Sequence, residues 1–222
     1  MRVLIFGATG MVGQGVLREC VAAPDVETVV TVGRKATGMT HPKLREVVHP
    51  DMTKYSSIEN ELTGLDACFF TMGVSSNGMD EMEYDRVTCG LTLAAAWPLS
   101  RLNPKITFIY VSGAGTDSTE QGRVMWARVK GRTENELLRL PFKAYMFRPG
   151  IIQPMDGIRS RTRIYRLLYL VMMPVLPVLR WMLPNHILST REIGQAMLAV
   201  ARHGFRKRIL ETRHIREALQ GR

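Results

Sequence analysis

Arg2-Val-Leu-Ile-Phe-Gly-Ala-Thr-Gly-Met-Val-Gly13 opens the chain and decides its fold. Val3–Phe6 is a short continuous apolar run that stops at glycine, the pattern of a buried strand. Gly7, Gly10 and Gly13 follow at G-x-x-G-x-x-G spacing, and an apolar helical pattern begins directly behind them. Strand, glycine turn and helix within thirteen residues are the start of a Rossmann βαβ unit. The glycines let the backbone turn tightly and approach a pyrophosphate, while the helix N-terminus offers free N–H groups and a positive dipole end. Gly7, Thr9, Gly10, Met11, Val12 and Gly13 are expected to hold that pyrophosphate.

The next segments extend the same unit. The first helix covers about Val12–Ala23 and ends at Pro24, and a second strand runs over Thr28–Val32. A site for the unphosphorylated dinucleotide usually carries an acidic residue at the end of this strand, on the ribose hydroxyls. Gly33 stands there instead, followed by Arg34 and Lys35, whereas Asp25 and Glu27 precede the strand, at its wrong end. Arg34 and Lys35 suit a 2′-phosphate, and the guanidinium can also lie over an adenine ring. The expected cofactor is therefore NADP, with NADPH preferred over NADH. Leu44–Val48 reads as the third strand, and Asp51 and Met52 behind it are expected at the adenine.

Further along, a helix over Ser57–Leu62 leads into a fourth strand, Ala67–Thr71. Thr71, Met72 and Gly73 then lie at the sheet edge where a cofactor passes. Asp80–Leu99 reads as one helix, with Val87, Leu91, Leu93 and Ala94–Ala96 inward and Pro98 near its end. Ile106–Val111 is a β-branched and aromatic run typical of a strand covered on both faces. Ser112-Gly-Ala-Gly115 follows it, then a helix over Arg123–Leu140, a strand over Ala144–Arg148, and Pro149-Gly150. This alternation predicts an α/β fold, a doubly wound, mostly parallel sheet. Residues 1–150 form its NAD(P)-binding core, and residues 151–222 a small, mainly helical lid or substrate region with closing elements of the same domain.

Composition agrees with one soluble globular unit of 222 residues, 45% apolar and 23% charged. Cys20, Cys68 and Cys89 lack metal-ligand spacing, so no metal site and no disulfide framework is read, and Cys68 is expected as a buried thiol. The first residues are a strand without the apolar core of a signal peptide, so the expected compartment is the cytoplasm. The net charge of +10 is uneven: residues 1–100 hold 8 Lys/Arg against 12 Asp/Glu, while residues 101–222 hold 22 against 8. A basic half can meet nucleic acid, an anionic membrane or an acidic ligand, or simply be a solvated surface. No reading motif or aromatic platform accompanies the charge, so no specific nucleic acid is expected.

The segment Ile164–Leu183 is strongly apolar. Its uncharged part, Leu167–Leu179, is shorter than the about 20 residues a bilayer span needs, and Pro174 and Pro177 interrupt it. Arg159, Arg161, Arg163 and Arg166 precede it and Arg180 follows its uncharged part. The leading reading is a lid over a substrate pocket; the alternatives are a peripheral membrane contact through 159–183 and a partner interface. Behind it, Arg191–Ala201 reads as an amphipathic helix with Ile193, Ala196, Met197 and Val200 on one face. A last strand over Arg208–Leu210 and a terminal helical turn over His214–Leu219 close the chain.

Five motifs together carry a resemblance: Gly7-Ala-Thr-Gly-Met-Val-Gly13, Val32-Gly-Arg34, Val111-Ser112, Val129-Lys-Gly131 with Glu134, and Phe147-Arg-Pro-Gly150. Through them the chain resembles the extended and atypical short-chain dehydrogenase/reductase superfamily, particularly small members such as the Tat-interacting oxidoreductase-like branch. The resemblance spans nearly the whole chain. It implies a cofactor across the strand ends, with Thr71–Gly73, Ser112, Lys130 and Pro149, Gly150, Ile151 and Ile152 around the nicotinamide half. It also implies a catalytic Ser, Tyr and Lys: the Tyr passes the proton, the Lys lowers its pKa and binds the ribose, and the Ser orients the substrate oxygen. Ser112 and Lys130 occupy two of these places, but Trp126 stands where the Tyr belongs. An indole N–H donates a hydrogen bond and does not titrate usefully, so it is no general acid. Four residues ahead of Lys130, it shares that helix face and can wall the pocket.

Two functions remain open. One is an NADP(H)-dependent oxidoreductase acting on an apolar small molecule without the usual tyrosine. The other is a non-catalytic protein that senses NADP(H) and regulates or scaffolds a partner.

Overall fold

The alternation of side chains along the first strand sets up both layers of the molecule, since successive residues of a strand face opposite ways. In β1 (Arg2–Phe6), Val3 and Ile5 enter one core while Leu4 and Phe6 enter the other, and all four are fully buried. The computed structural model describes residues 1–158 and 186–221. After β1 come α1 (Met11–Ala22), β2 (Thr28–Gly33), β3 (Leu44–Val48), a 3-10 turn over Ser56–Leu62 and β4 (Ala67–Phe70). A helical rod follows, made of α2 (Glu81–Asp85), a π-turn over Arg86–Gly90 and α3 (Leu91–Leu102). Then come β5 (Thr107–Val111), α4 (Met125–Arg139), β6 (Lys143–Arg148), β7 (Ile151–Gln153), β8 (Ile187–Ser189), α5 (Thr190–His203), β9 (Ile209–Glu211) and α6 (Thr212–Leu219).

Seven strands form one parallel sheet in the order β3-β2-β1-β4-β5-β6-β9. The doubly wound α/β expectation is met. β7 and β8 make a separate parallel pair. One face of the large sheet is covered by α1 and α5, which pack on each other; buried Val16, Leu17, Ile193 and Met197 share that core with Val3 and Ile5. The other face is covered by α3 and α4, through Ala95, Ala96, Leu99 and Leu137 over Leu4, Phe6 and Phe108. The strand order reverses between β1 and β4, which leaves a crevice at the C-terminal strand ends, where open α/β sheets bind ligands.

Two helical expectations are corrected. The rod does not stop near Pro98 but continues to Leu102. Asn103 holds its end: its Nδ2 donates to Leu62 O at 2.6 Å, and its Oδ1 accepts from Leu65 N at 2.9 Å. With Leu99 fully buried one turn earlier, these contacts outweigh the hydrogen bond that proline removes. The π-turn also rotates the buried face of the rod onto Tyr84, Thr88, Cys89 and Thr92, so Val87 is only half-buried. The uncharged run and the basic residues of 159–185 lie outside the described residues, as does most of the expected lid. Among the described residues no helix is long and apolar enough to cross a membrane.

Candidate functional site

Gly7 ends β1 with φ +79°, and a Cβ there would stand 2.7 Å from Met72 N. Only glycine lets β1 turn this close to the segment leaving β4. Gly10 N donates to Gly7 O at 2.8 Å, closing the turn, and Gly10 caps α1 without a side chain. A Cβ on Gly13 would lie 2.1 Å from Gly7 O, so α1 is drawn against its own turn. Thr9, Met11 and Val12 complete this stretch. Thr71 fixes the facing wall, with its Oγ1 donating to Phe6 O at 2.7 Å; Met72 and Gly73 follow along the same edge. The result is a turn of backbone N–H groups at a helix N-terminus, open to a ligand.

Beside it, a small recess is lined by Gly7–Thr9, the end of β2, Lys35 and the end of β3. Arg34 and Lys35 are exposed, and neither meets a carboxylate among the described residues. Glu46 on β3 shares this recess, a residue the sequence reading passed over. Its Oε1 accepts from Thr37 N at 2.6 Å, which turns the carboxylate toward the backbone of the loop carrying both cations. The expected adenine pair is placed differently from a simple wall. Met52 is 6% exposed, within the core that holds Phe6 and Tyr55. Asp51 is exposed, and its Oδ1 accepts from Thr53 N at 2.9 Å and Thr53 Oγ1 at 2.6 Å. These hydrogen bonds hold the Asp51 carboxyl below its usual range.

At the other half of the crevice, Asp117 organises the loop after β5. Its carboxylate accepts from Thr119 N, Thr119 Oγ1 and Gly122 N. Its own carbonyl lies so near α4 that a Cβ on Gly131 would come within 1.7 Å of it. Gly131 thus allows the close docking that brings its neighbour Lys130 to the loop. The Lys130 ammonium donates to the Ser112 carbonyl, and desolvation lowers its pKa to about 8, against the opposing pull of Glu134. The Ser112 hydroxyl donates to Glu134 Oε1 at 2.5 Å and approaches Phe147 O at 3.2 Å. Glu134 is fully buried and ion-paired with Arg148, whose Nε donates to Oε1 at 3.0 Å. Arg148 also donates to Ser118 Oγ at 2.6 Å and reaches Glu211 at 3.4 Å. The proton that the resemblance assigned to a substrate oxygen is therefore directed inward. The cause is a buried carboxylate that needs donors.

Trp126 is half-buried, and its ring edge lies over Gly115, where a Cβ would stand 3.5 Å from Cη2. No described tyrosine replaces it as a proton donor at the crevice. Tyr55, Tyr84 and Tyr110 are at most 3% exposed, and burial pushes the phenols of Tyr55 and Tyr110 well above their ordinary range. The Tyr145 hydroxyl oxygen accepts from Phe205 N, at the opposite end of the sheet. Gly150, after Pro149, is pinned by Thr212, whose Oγ1 accepts from Gly150 N at 2.9 Å. Ile151 and Ile152 then enter β7, with Ile151 exposed. All three cysteines are buried with their thiols pushed up, Cys89 to about 11. Among the described residues no cluster of side chains could hold a metal.

Residues 3–121 match the NAD dependent epimerase/dehydratase family. Among curated sequences, the chain is similar to the protein fmp52-1, mitochondrial, of Aspergillus terreus, at 29% identity over 72% of this chain and 69% of the relative. It is also similar to the protein FMP52-2, mitochondrial, of Scheffersomyces stipitis, at 27% identity over 67% and 65%. The matched stretch thus spans about two thirds of each relative. The mitochondrial names of these relatives overturn the expectation of a cytoplasmic compartment. Among solved structures, the oxidoreductase ylbE from Lactococcus lactis superposes with a TM-score of 0.65 at 14% identity, covering 100% of this chain and 96% of its own. A short-chain dehydrogenase/reductase superfamily protein from Agrobacterium tumefaciens with bound NAD gives 0.63 at 15% identity, over 91% and 74%. At such identities the likeness is one of fold.

Proposed function

Because the chain belongs to the NAD dependent epimerase/dehydratase family, we propose that it binds NADP(H) across the C-terminal strand ends and uses it on an apolar small molecule. The observation that carries this reading is the pairing of the Gly7–Gly13 turn with two exposed cations at the end of β2, unengaged by any described carboxylate. The backbone turn suits a pyrophosphate, and Arg34 and Lys35 suit a 2′-phosphate. Asp51 accepts from the adenine amino group, while the Met52 backbone borders the ring. Thr71–Gly73, Lys130 and Pro149–Ile152 border the nicotinamide half.

The bound dinucleotide supplies hydride chemistry. Lys130 orients the ribose and contributes positive charge while protonated. Ser112 contributes the carbonyl that fixes Lys130, and its hydroxyl rigidifies the site through Glu134 and Arg148. Trp126 walls the pocket beside Gly115. An apolar substrate accords with exposed Val74, Val124 and Ile151 on segments beyond the C-terminal ends of β4, β5 and β6. A mitochondrial setting, taken from the names of the fungal relatives, belongs to the same proposal.

The second reading, a cofactor-binding regulator without turnover, is favoured by one observation: a tryptophan holds the place of the proton donor and the nearby serine proton faces inward. Mass spectrometry of small molecules retained by the purified protein tests the shared premise. Retained NADP(H) supports it, and a protein that neither retains nor takes up a dinucleotide refutes it. Turnover with a panel of apolar carbonyl compounds then selects the enzyme. Tight cofactor binding without turnover, together with a co-purifying protein, selects the regulator.

A further inference from the structure

A concavity of about 760 Å³ lies at the end of the sheet opposite the glycine turn. It is bounded by the N-terminal ends of β5 and β6, the end of α5 and the chain entering β9. It continues into a second hollow of about 700 Å³, and the two share Thr107, Lys143 and Arg202. Five cations of the basic second half of the sequence line the two hollows: Lys105, Lys143, Arg202, Arg206 and Arg208.

Two of the arginines are neutralised: Arg202 pairs with Asp25 at 2.5 Å, and Arg206 with Glu217 at 2.8 Å. Three other cations, Lys105, Lys143 and Arg208, are exposed and meet no carboxylate among the described residues. Strand register brings them together. Lys143 is paired with Thr107, two residues past Lys105, and neighbouring strands run about 5 Å apart. Arg208 donates to Ala144 O at 3.1 Å, next to Lys143, and its guanidinium lies 5.2 Å from the centre of the Tyr145 ring. The remaining acid of the groove, Asp66, accepts from Arg2 N at 2.7 Å. Unpaired cations converging in a concavity repel one another, and an anion that fills it relieves this. A guanidinium with two ammonium groups suits phosphate oxygens, the first as a planar fork and the others as point charges.

We propose that this groove is a second ligand site, separate from the dinucleotide crevice, that takes a phosphate-bearing anion through Lys105, Lys143 and Arg208. The phosphate belongs either to a soluble metabolite or to a lipid headgroup. Two probes separate these sources: inorganic pyrophosphate in calorimetric titration, and vesicles of phosphatidylcholine with or without phosphatidic acid in co-sedimentation. The 222-residue protein is compared with Lys143→Gln and with Lys143→Gln/Arg208→Gln. Loss of charge-assisted bonds should weaken binding about tenfold in these groove variants. Pyrophosphate alone binding in this way assigns a soluble ligand. Sedimentation that needs phosphatidic acid and Lys143 assigns a headgroup. Lys143 is exposed and unpaired among the described residues, so its single substitution tests the site without disturbing the fold. Binding of neither probe, or binding unaffected by the groove substitutions, overturns the proposal.

Discussion

Ser112 Oγ lies 2.5 Å from Glu134 Oε1 and donates to it, and the accepting carboxylate is itself fully buried against Arg148. This joins the loop behind β5, the middle of α4 and the end of β6. A buried ion pair contributes little net stability when intact, because desolvation offsets its attraction, but breaking it is costly. Glu134→Gln would leave the Arg148 guanidinium short of its counter-charge and should destabilise by about 3–5 kcal/mol. Ser112→Ala removes one donor from the carboxylate and should cost about 1–3 kcal/mol. Urea unfolding reads both. A loss below about 1 kcal/mol for Glu134→Gln would mean that Ser118 and Glu211 suffice for Arg148.

Lys130 gives a pH-dependent signature. Its pKa is lowered to about 8 in the folded protein, below its ordinary value, because burial disfavours the charged amine. If the ammonium holds a cofactor ribose, the binding-competent form is protonated, so NADPH affinity should be highest below pH 8 and fall as pH rises through it. Bound cofactor favours the charged form, which moves the decline upward in the complex. Lys130→Arg stays charged and should show no such decline, whereas Lys130→Met should bind weakly at every pH. Dissociation constants measured between pH 6.5 and 9.5 decide this, and an identical decline in Lys130→Arg would assign the titration to another group.

The same linkage bears on stability. Because the folded pKa of Lys130 is depressed, its unfolded form binds more protons between about pH 8 and the ordinary lysine value. The desolvation penalty is thus fully present below pH 8 and is relieved as pH rises through that window. Lys130→Met should therefore gain stability over the parent at pH 7, and the gain should shrink by pH 10. A gain that does not change with pH would show that lost contacts, and not the charge, set the difference.

Trp126 distinguishes the two functional readings. General acid/base help contributes about 10²–10⁴-fold, so carbonyl reduction by the native protein should be slow or absent. Trp126→Tyr would put a phenol one helical turn from Lys130, whose charge favours the ionised phenolate. NADPH-dependent reduction should then rise by at least about tenfold if the pocket admits a carbonyl. Robust native turnover that Trp126→Tyr lowers would show that a different group carries the proton.

Much of this architecture is legible in the chain itself, because its signals are local. The glycine turn follows from spacing and from the backbone approach it permits, and the strands at Ala67 and Ile106 follow from unbroken apolar runs. The cations behind β2 are visible as a missing carboxylate. What escapes is set by tertiary contact. Asn103, distant in sequence from Leu62, carries α3 past Pro98. Met52 stands next to an exposed Asp51, yet the packing of Phe6 and Tyr55 takes it inward. The inward turn of the Ser112 hydroxyl depends on Glu134 one turn beyond Lys130 and on Arg148 across a strand. The sequence places all three in shared motifs but does not show that they meet. The compartment has no local signal of this kind, since the opening residues carry strand character alone.

The cofactor assignment is the central claim, and fluorescence titration of the purified protein with NADPH and with NADH tests it most directly. Charge-assisted contacts from Arg34 and Lys35 to a 2′-phosphate, worth roughly 1.5–3 kcal/mol, predict NADPH binding tighter by about tenfold or more. Arg34→Ala should remove most of that preference and leave NADH binding nearly unchanged. Equal affinities for the two dinucleotides, or a preference that survives Arg34→Ala intact, would contradict the account.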